Sequence, residues 1–273
     1  MQNTQSFLLM QQEGYLIQSS LTTGLTSLRN ATLDKCGLFY TAFFQISIGF
    51  ERMMKAILIS DYMADHASSP PDQNTIRNYG HDLLALMNTC TTLARDKYRC
   101  DNFNAVEPDS ISSRIIQHLS DFARKTRYHN IDQLTQTTTA IDPLAAWNSI
   151  VREIISVHVH PNRLARIRDQ GQTIGTALAP ISAVIATDLD QSPMDIIDLA
   201  TVPRLLQAAA PHSVIYIYEV LQSLNALLSC VVSKVMEHDH QRGVAMPTIP
   251  YMHEFFEFLG YERGDAMRKK KWP

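Results

Sequence analysis

Between Phe122 and Asp132 the chain gathers two arginines, Arg124 and Arg127, with Tyr128, His129, Asn130 and Asp132, just beyond an amphipathic helical stretch. An imidazole near pH 6.5 can trade protons, and a guanidinium can hold a phosphate as a bidentate fork. Cleaving RNA at a phosphodiester needs a 2′-hydroxyl deprotonated, charge on the phosphate stabilised and the leaving oxygen protonated. A cluster of this composition can therefore grip and cleave a phosphodiester. It can equally cap a helix and close a loop, and residue types alone leave both open. Geometry sets a condition. Five residues on a continuous helix turn through about 140°, so Arg124 and His129 converge only if the helix ends near Arg124 or Lys125.

The elements that must position these residues read as helices. Periodicity is helical almost throughout, and β-branched runs between turn signals are nearly absent, so the expected fold is all-α. A first helix spans about Gln5 to Arg29, and a long second one about Leu33 to Asp65, stopped by Pro70 and Pro71. A third begins near Asn78 to His81. A fourth, capped by Asp109 or Ser110, runs to Phe122. After a polar segment, Thr135 to Ala140, Asp142 caps a helix with Pro143 at its first position, running to about His160. Another is expected from Arg163 to about Ile185, kinked at Pro180. The next starts at Pro211, with Val214, Ile217, Leu221, Leu224, Leu228, Val231 and Val235 in three-four spacing, as an internal bundle helix or a self-association seam. A last short helix carries Phe255, Phe256, Phe258 and Leu259. Lys269, Lys270 and Lys271 follow Arg268 in the tail, either as a solvated end or as a contact for RNA phosphates.

Composition narrows the classes. With 273 residues, 45% of them hydrophobic and 19% charged, the chain can bury one large core or two smaller ones. Residues 1–135 carry 12 Lys/Arg against 13 Asp/Glu and the remainder 12 against 14, so no broad basic field favours duplex binding. Cys36, Cys90, Cys100 and Cys230 lack zinc-type spacing, and a reduced, cytoplasmic protein is expected. Met1 to Gln5 lacks the pattern of a signal peptide. The apolar run from Leu38 to Phe50 is interrupted by Thr41, Gln45 and Ser47, too short for a bilayer span.

Three islands, Phe50 to Leu58, Gly80 to Leu86 and Arg127 to Asp132, resemble the HEPN superfamily in order and spacing, over about residues 35–135. The resemblance implies an up-down helical bundle that often dimerises; the chain then divides into that bundle in residues 1–135 and a helical extension packed on it in residues 136–273, and a homodimer is expected. In catalytic members it implies a metal-independent endoribonuclease of toxin or antiviral-defence type, needing no cofactor, whose motif is an Arg and a His with four to six residues between them. Arg124 and His129 fit. On that reading they are catalytic, Arg127, Asn130 and Asp132 bind RNA, and Glu51, His81, Asp82 and Tyr128 support them. Lys125 departs from the small polar residue common after the Arg. Arg152 and His158 fit the spacing too; chance gives about 1.8 such pairs in this composition, so only the location of the first distinguishes it.

Two rivals remain. In one, the same residues are structural in a non-catalytic binding or regulatory bundle. In the other, His81 and Asp82, with His66 and Asp121 or Asp132, form an HD-type phosphohydrolase site for a divalent metal. His158 with His160, and His238 with His240, diverge by about 200° on a helix and read as solvent or core histidines rather than ligands. Gly171 and Gly175 can let two helices approach.

Overall fold

The computed structural model describes residues 4–136 and 141–273; part of the polar segment at Thr135 to Ala140 lies outside them. The described residues form helices and no strand, with one isolated bridge between Thr187 and Pro193, so the protein is all-α.

Helix α1, Gln5–Asn30, starts where the Thr4 hydroxyl accepts the Phe7 amide. After a single 3₁₀ turn at Leu33–Lys35, α2 runs over Gly37–Asp65. The two lie antiparallel at close range: a methyl group on Gly24 would meet Ile46 at 2.5 Å, and one on Gly49 would meet Leu21 at 2.4 Å. Small residues at these two points let the backbones approach, and Ile17, Leu21, Leu25, Ile46, Phe50 and Met53 fill the seam, all fully buried.

The helix expected to begin near Asn78 to His81 is α4, Leu83–Thr92, and a short helix, α3 at Gln73–Asn78, precedes it. Gly80 separates them with φ +69°, and Asp82 restarts the helix by accepting the Leu84 and Ala85 amides. A π-helical turn, Leu93–Lys97, ends α4. Ser110, rather than Asp109, caps α5, Ile111–Asp121, which continues as a π-helical turn over Phe122–Thr126. The chain then bends at Arg127 and Tyr128, and α6 covers His129–Leu134.

Asp142 and Pro143 open α7, Pro143–His158, as the sequence indicates. His160 caps α8, Pro161–Leu178, which stops short of Ile185; Pro180 sits in the 3₁₀ turn that ends it rather than in a kink. The largest departure is α9, Ile196–Gln241, which begins well before Pro211 and carries Pro203 and Pro211 inside it. Each internal proline removes a helical hydrogen bond and costs about 3 kcal/mol in an isolated helix. Packing offsets this. Asp195 and Asp198 form a reciprocal cap, and α8 lies against the early turns through Gly171 and Gly175, where added methyl groups would strike Thr201 and Ile197. The three-four stripe from Val214 to Val235 is fully buried against α1, α2 and α7, which makes α9 the internal bundle helix. It is also the one described helix long and apolar enough to cross a membrane, although most of that apolar window is buried inside the bundle.

Two short 3₁₀ turns within Met252–Gly260, broken at Phe256, and α10, Arg263–Arg268, close the fold against α9. The cationic tail folds back on the bundle. Trp272 is buried beside Tyr218, Phe258 and Tyr261, its amide donates to Thr26, and the Lys270 carbonyl accepts from Asn30.

Candidate functional site

The first two islands meet through side chains, and Arg124, which precedes the third, joins them. Asp82 is the hub: one carboxylate oxygen caps α4 and accepts the Ser120 hydroxyl at 3.3 Å, and the other takes the Arg124 guanidinium at 2.7 Å. Ser120 in turn accepts the Leu83 amide at 3.1 Å. Beside them, the His81 ring nitrogen lies 2.8 Å from Glu51, which also binds Lys55 at 2.9 Å. Phe50 to Leu58 is thus tied to Gly80 to Leu86, and the latter to the π-helical turn that carries Arg124.

The carboxylates around Arg124 continue with Asp121. It lies 3.9 Å from Arg124 and 2.8 Å from Lys125, and accepts from Gln117 at 2.6 Å. Burial favours its neutral form, yet the hydrogen bonds from Lys125 and Gln117 and the charges of Lys125 and Arg124 outweigh it and hold its carboxyl below the usual range. Lys125, the residue that departs from the catalytic pattern, is therefore engaged by its own helix.

His129 lies elsewhere. The bend at Arg127 and Tyr128 places it at the start of α6, 5% exposed, with no partner for its Nδ1. It lines a 670 Å³ cavity with Asn130, Gln133, Asp142, Asp190 and Gln191. None of the residues that hold Arg124 lines that cavity. Asp142 accepts from Gln191 at 2.6 Å, and Asp190 binds Arg152 at 2.7 Å. Two carboxylates in the walls disfavour a phosphate in front of His129. Asn130 pairs with the Tyr40 hydroxyl, Arg127 lies over the Tyr128 ring at 4.9 Å, and Asp132 stands in the first turn of α6.

No family model matches this chain, and no curated protein or solved structure matches it. Its chemistry has to be read from its own residues.

The other candidates disperse. Arg152 points to Asp188 and Asp190, whereas His158 bonds the Tyr216 hydroxyl at 2.6 Å and stacks on His212. His66 stacks on Tyr62 and bonds its carbonyl, and no group of three or more His, Cys, Asp or Glu side chains among the described residues is placed to hold a metal. His238 bonds the Ala64 carbonyl.

Several groups escape sequence reasoning because their partners are far along the chain. Asp239 accepts from Ser68 at 2.5 Å, Thr248 at 2.5 Å and Arg242 at 2.7 Å. Burial would raise its pKa, but these bonds lower it. His118 is buried between Phe43 and Trp147, and desolvation pushes it down to about 4. It borders a largely apolar 440 Å³ cavity between α5 and α7. Only the amphipathic pattern of α5, which puts His118 on the same face as Ile111 and Ile115, signals its burial.

Proposed function

We propose that this chain is a non-catalytic binding or regulatory protein built on a HEPN-like helical bundle, in which Arg124, Asp82, Glu51 and His81 brace the helices rather than act on a substrate. One observation carries the reading: Asp82, fixed as the cap of α4, binds the Arg124 guanidinium at 2.7 Å. To grip a phosphate, Arg124 would have to leave that carboxylate and place a second anion near it, which like-charge repulsion opposes. A cytoplasmic homodimer belongs to the same reading. Tyr128 in the bend before α6, Ile131 and Leu134 on α6, and Ile141 are large apolar side chains left more than half exposed, and a second copy would cover them.

The second reading is the metal-independent endoribonuclease of toxin or defence type. What favours it is His129, whose unpartnered imidazole lines an open cavity next to Asn130. There His129 would be the general acid/base, with Arg124 and Arg127 on the RNA phosphate.

Incubating the purified chain with labelled RNA and excess chelator separates the two. The binding-protein reading expects no cleavage by the parent. Chelator-resistant cleavage that disappears in His129→Ala would overturn it in favour of the nuclease.

A further inference from the structure

Two of the four cysteines, 130 positions apart in sequence, stand with their sulfurs 2.9 Å from each other. Each is anchored. Cys230 lies within α9, between the buried Leu228 and Val231. Cys100 follows Arg99, whose φ of +46° turns the chain back under the π-helical end of α4, and its amide donates to the Ala94 carbonyl at 2.9 Å. Its own carbonyl accepts the Phe103 amide at 3.1 Å, so the backbone on both sides is held. The remaining thiols are not arranged this way: Cys36 is exposed and Cys90 is sealed in the core.

Reagents can reach the pair. Cys100 lines a 340 Å³ cavity whose wall includes Arg95 and Arg99. Arg95 is taken up by Asp96, and of the remaining charged residues of the wall, Arg99 attracts an anionic molecule while Asp101 opposes it.

We propose that Cys100 and Cys230 form a reversible dithiol–disulfide site, oxidised by a low-molecular-weight anionic disulfide such as glutathione disulfide. Cys100 gives up its proton and its sulfur attacks one sulfur of the small disulfide. That S–S bond breaks, the departing small thiolate takes up the proton, and Cys100 carries the mixed disulfide. Cys230 then gives up its proton, attacks the Cys100 sulfur and displaces the second small thiol, which takes that proton. In sum, two protein thiols become one disulfide, and one small disulfide is reduced to two thiols.

The bond would staple the loop between α4 and α5 to α9. That loop already touches α9 where the Asn104 amide meets the Ser223 hydroxyl, beside a 480 Å³ cavity lined by residues of both. Oxidation would fix one wall of that cavity to the other. Burial, reinforced by the contact with Cys100 and by the negative charge of Asp101, pushes the Cys230 thiol up to about 12, so closure speeds up as pH rises.

The test uses the full-length chain, incubated with glutathione disulfide at pH 7 and pH 9, then alkylated, digested without reduction and read by mass spectrometry. The expected result is loss of two free thiols and a peptide pair joined through Cys100 and Cys230, formed faster at pH 9 and reversed by dithiothreitol. The oxidised chain should melt higher by about 5–10 °C, because a cross-link closing so long a loop restricts the unfolded state. Cys230→Ser should instead stop at the Cys100–glutathione adduct. The proposal is overturned if the parent keeps both thiols, stops at adducts, or links Cys36 between molecules instead; this readout on the parent does not depend on any variant folding.

Discussion

Burial keeps the His118 imidazole uncharged in the folded protein until the pH falls to about 4, well below where it titrates in the unfolded chain. Its ring packs edge-on against Phe43 at 4.5 Å and lies 5.4 Å from Trp147, and its Nε2 has no partner. Desolvation pushes its pKa down to about 4, with only the Asp121 charge opposing. In the unfolded chain the value returns to about 6.5. Between those values the unfolded state binds the additional proton, so stability is complete above about pH 6.5, falls as pH drops towards 4, and loses nothing more from this group below that. The gap corresponds to at most about 3 kcal/mol. In His118→Leu, an apolar side chain of similar size, this contribution disappears. Urea unfolding of parent and variant at pH 7, 6, 5 and 4 gives the difference in stability, from which contributions of other titrating groups cancel. That difference should move in favour of the variant by about 3 kcal/mol from pH 7 to 4. A difference constant across the range would refute the desolvated, uncharged imidazole.

Three further outcomes test the packing. Gly24→Ala puts a methyl group 2.5 Å from the Ile46 side chain and 3.0 Å from its backbone nitrogen; overpacking should exceed the gain in helix preference and lower stability by about 1–2 kcal/mol in urea titration. Asp239→Ala strands the Ser68 and Thr248 hydroxyls and the Arg242 guanidinium, and should lower stability by about 3 kcal/mol at pH 7. Because the folded Asp239 carboxyl is held below its ordinary range, its contribution is present above about pH 4 and fades as pH falls through the folded value, so the penalty should shrink in strong acid. Trp272→Ala, in the docked tail, should lower stability by about 3 kcal/mol in the same assay, whereas a tail free in solvent would show no change.

Local signals made much of the fold legible. Thr4, Ser110 and Asp142 cap helices because short polar side chains satisfy amides that no preceding turn can, and the sequence displays them. The stripe from Val214 to Val235 announced a buried helix by spacing alone. Its start did not: Pro203 and Pro211 argue locally against a helix, and only packing of α8 on Ile197 and Thr201 sustains one there. The six residues of α3, Gln73–Asn78, hold one apolar side chain, Ile76, and so show no periodicity. At the candidate site, His81 of the second island pairs with Glu51 of the first, whereas Arg127 to Asp132 stand apart from Asp82. The direction of Arg124 is not legible in the sequence, because a π-helical turn rotates it relative to an α-helix and no residue type marks that turn. The approach of Cys100 to Cys230 and of Ser68 to Asp239 depends on the whole bundle and left no trace in spacing.

The central claim is that Arg124 belongs to Asp82. Asp82→Asn keeps the capping oxygen and removes the charge, so a double-mutant cycle of Asp82→Asn with Arg124→Ala isolates their interaction from the cap. Both groups are about one-third exposed, and the predicted coupling is about 0.5–1 kcal/mol in favour of the folded state at low salt, weakening as salt is added. A coupling of zero, with Arg124→Ala as stable as the parent, would contradict the account and leave the guanidinium available for an anionic ligand.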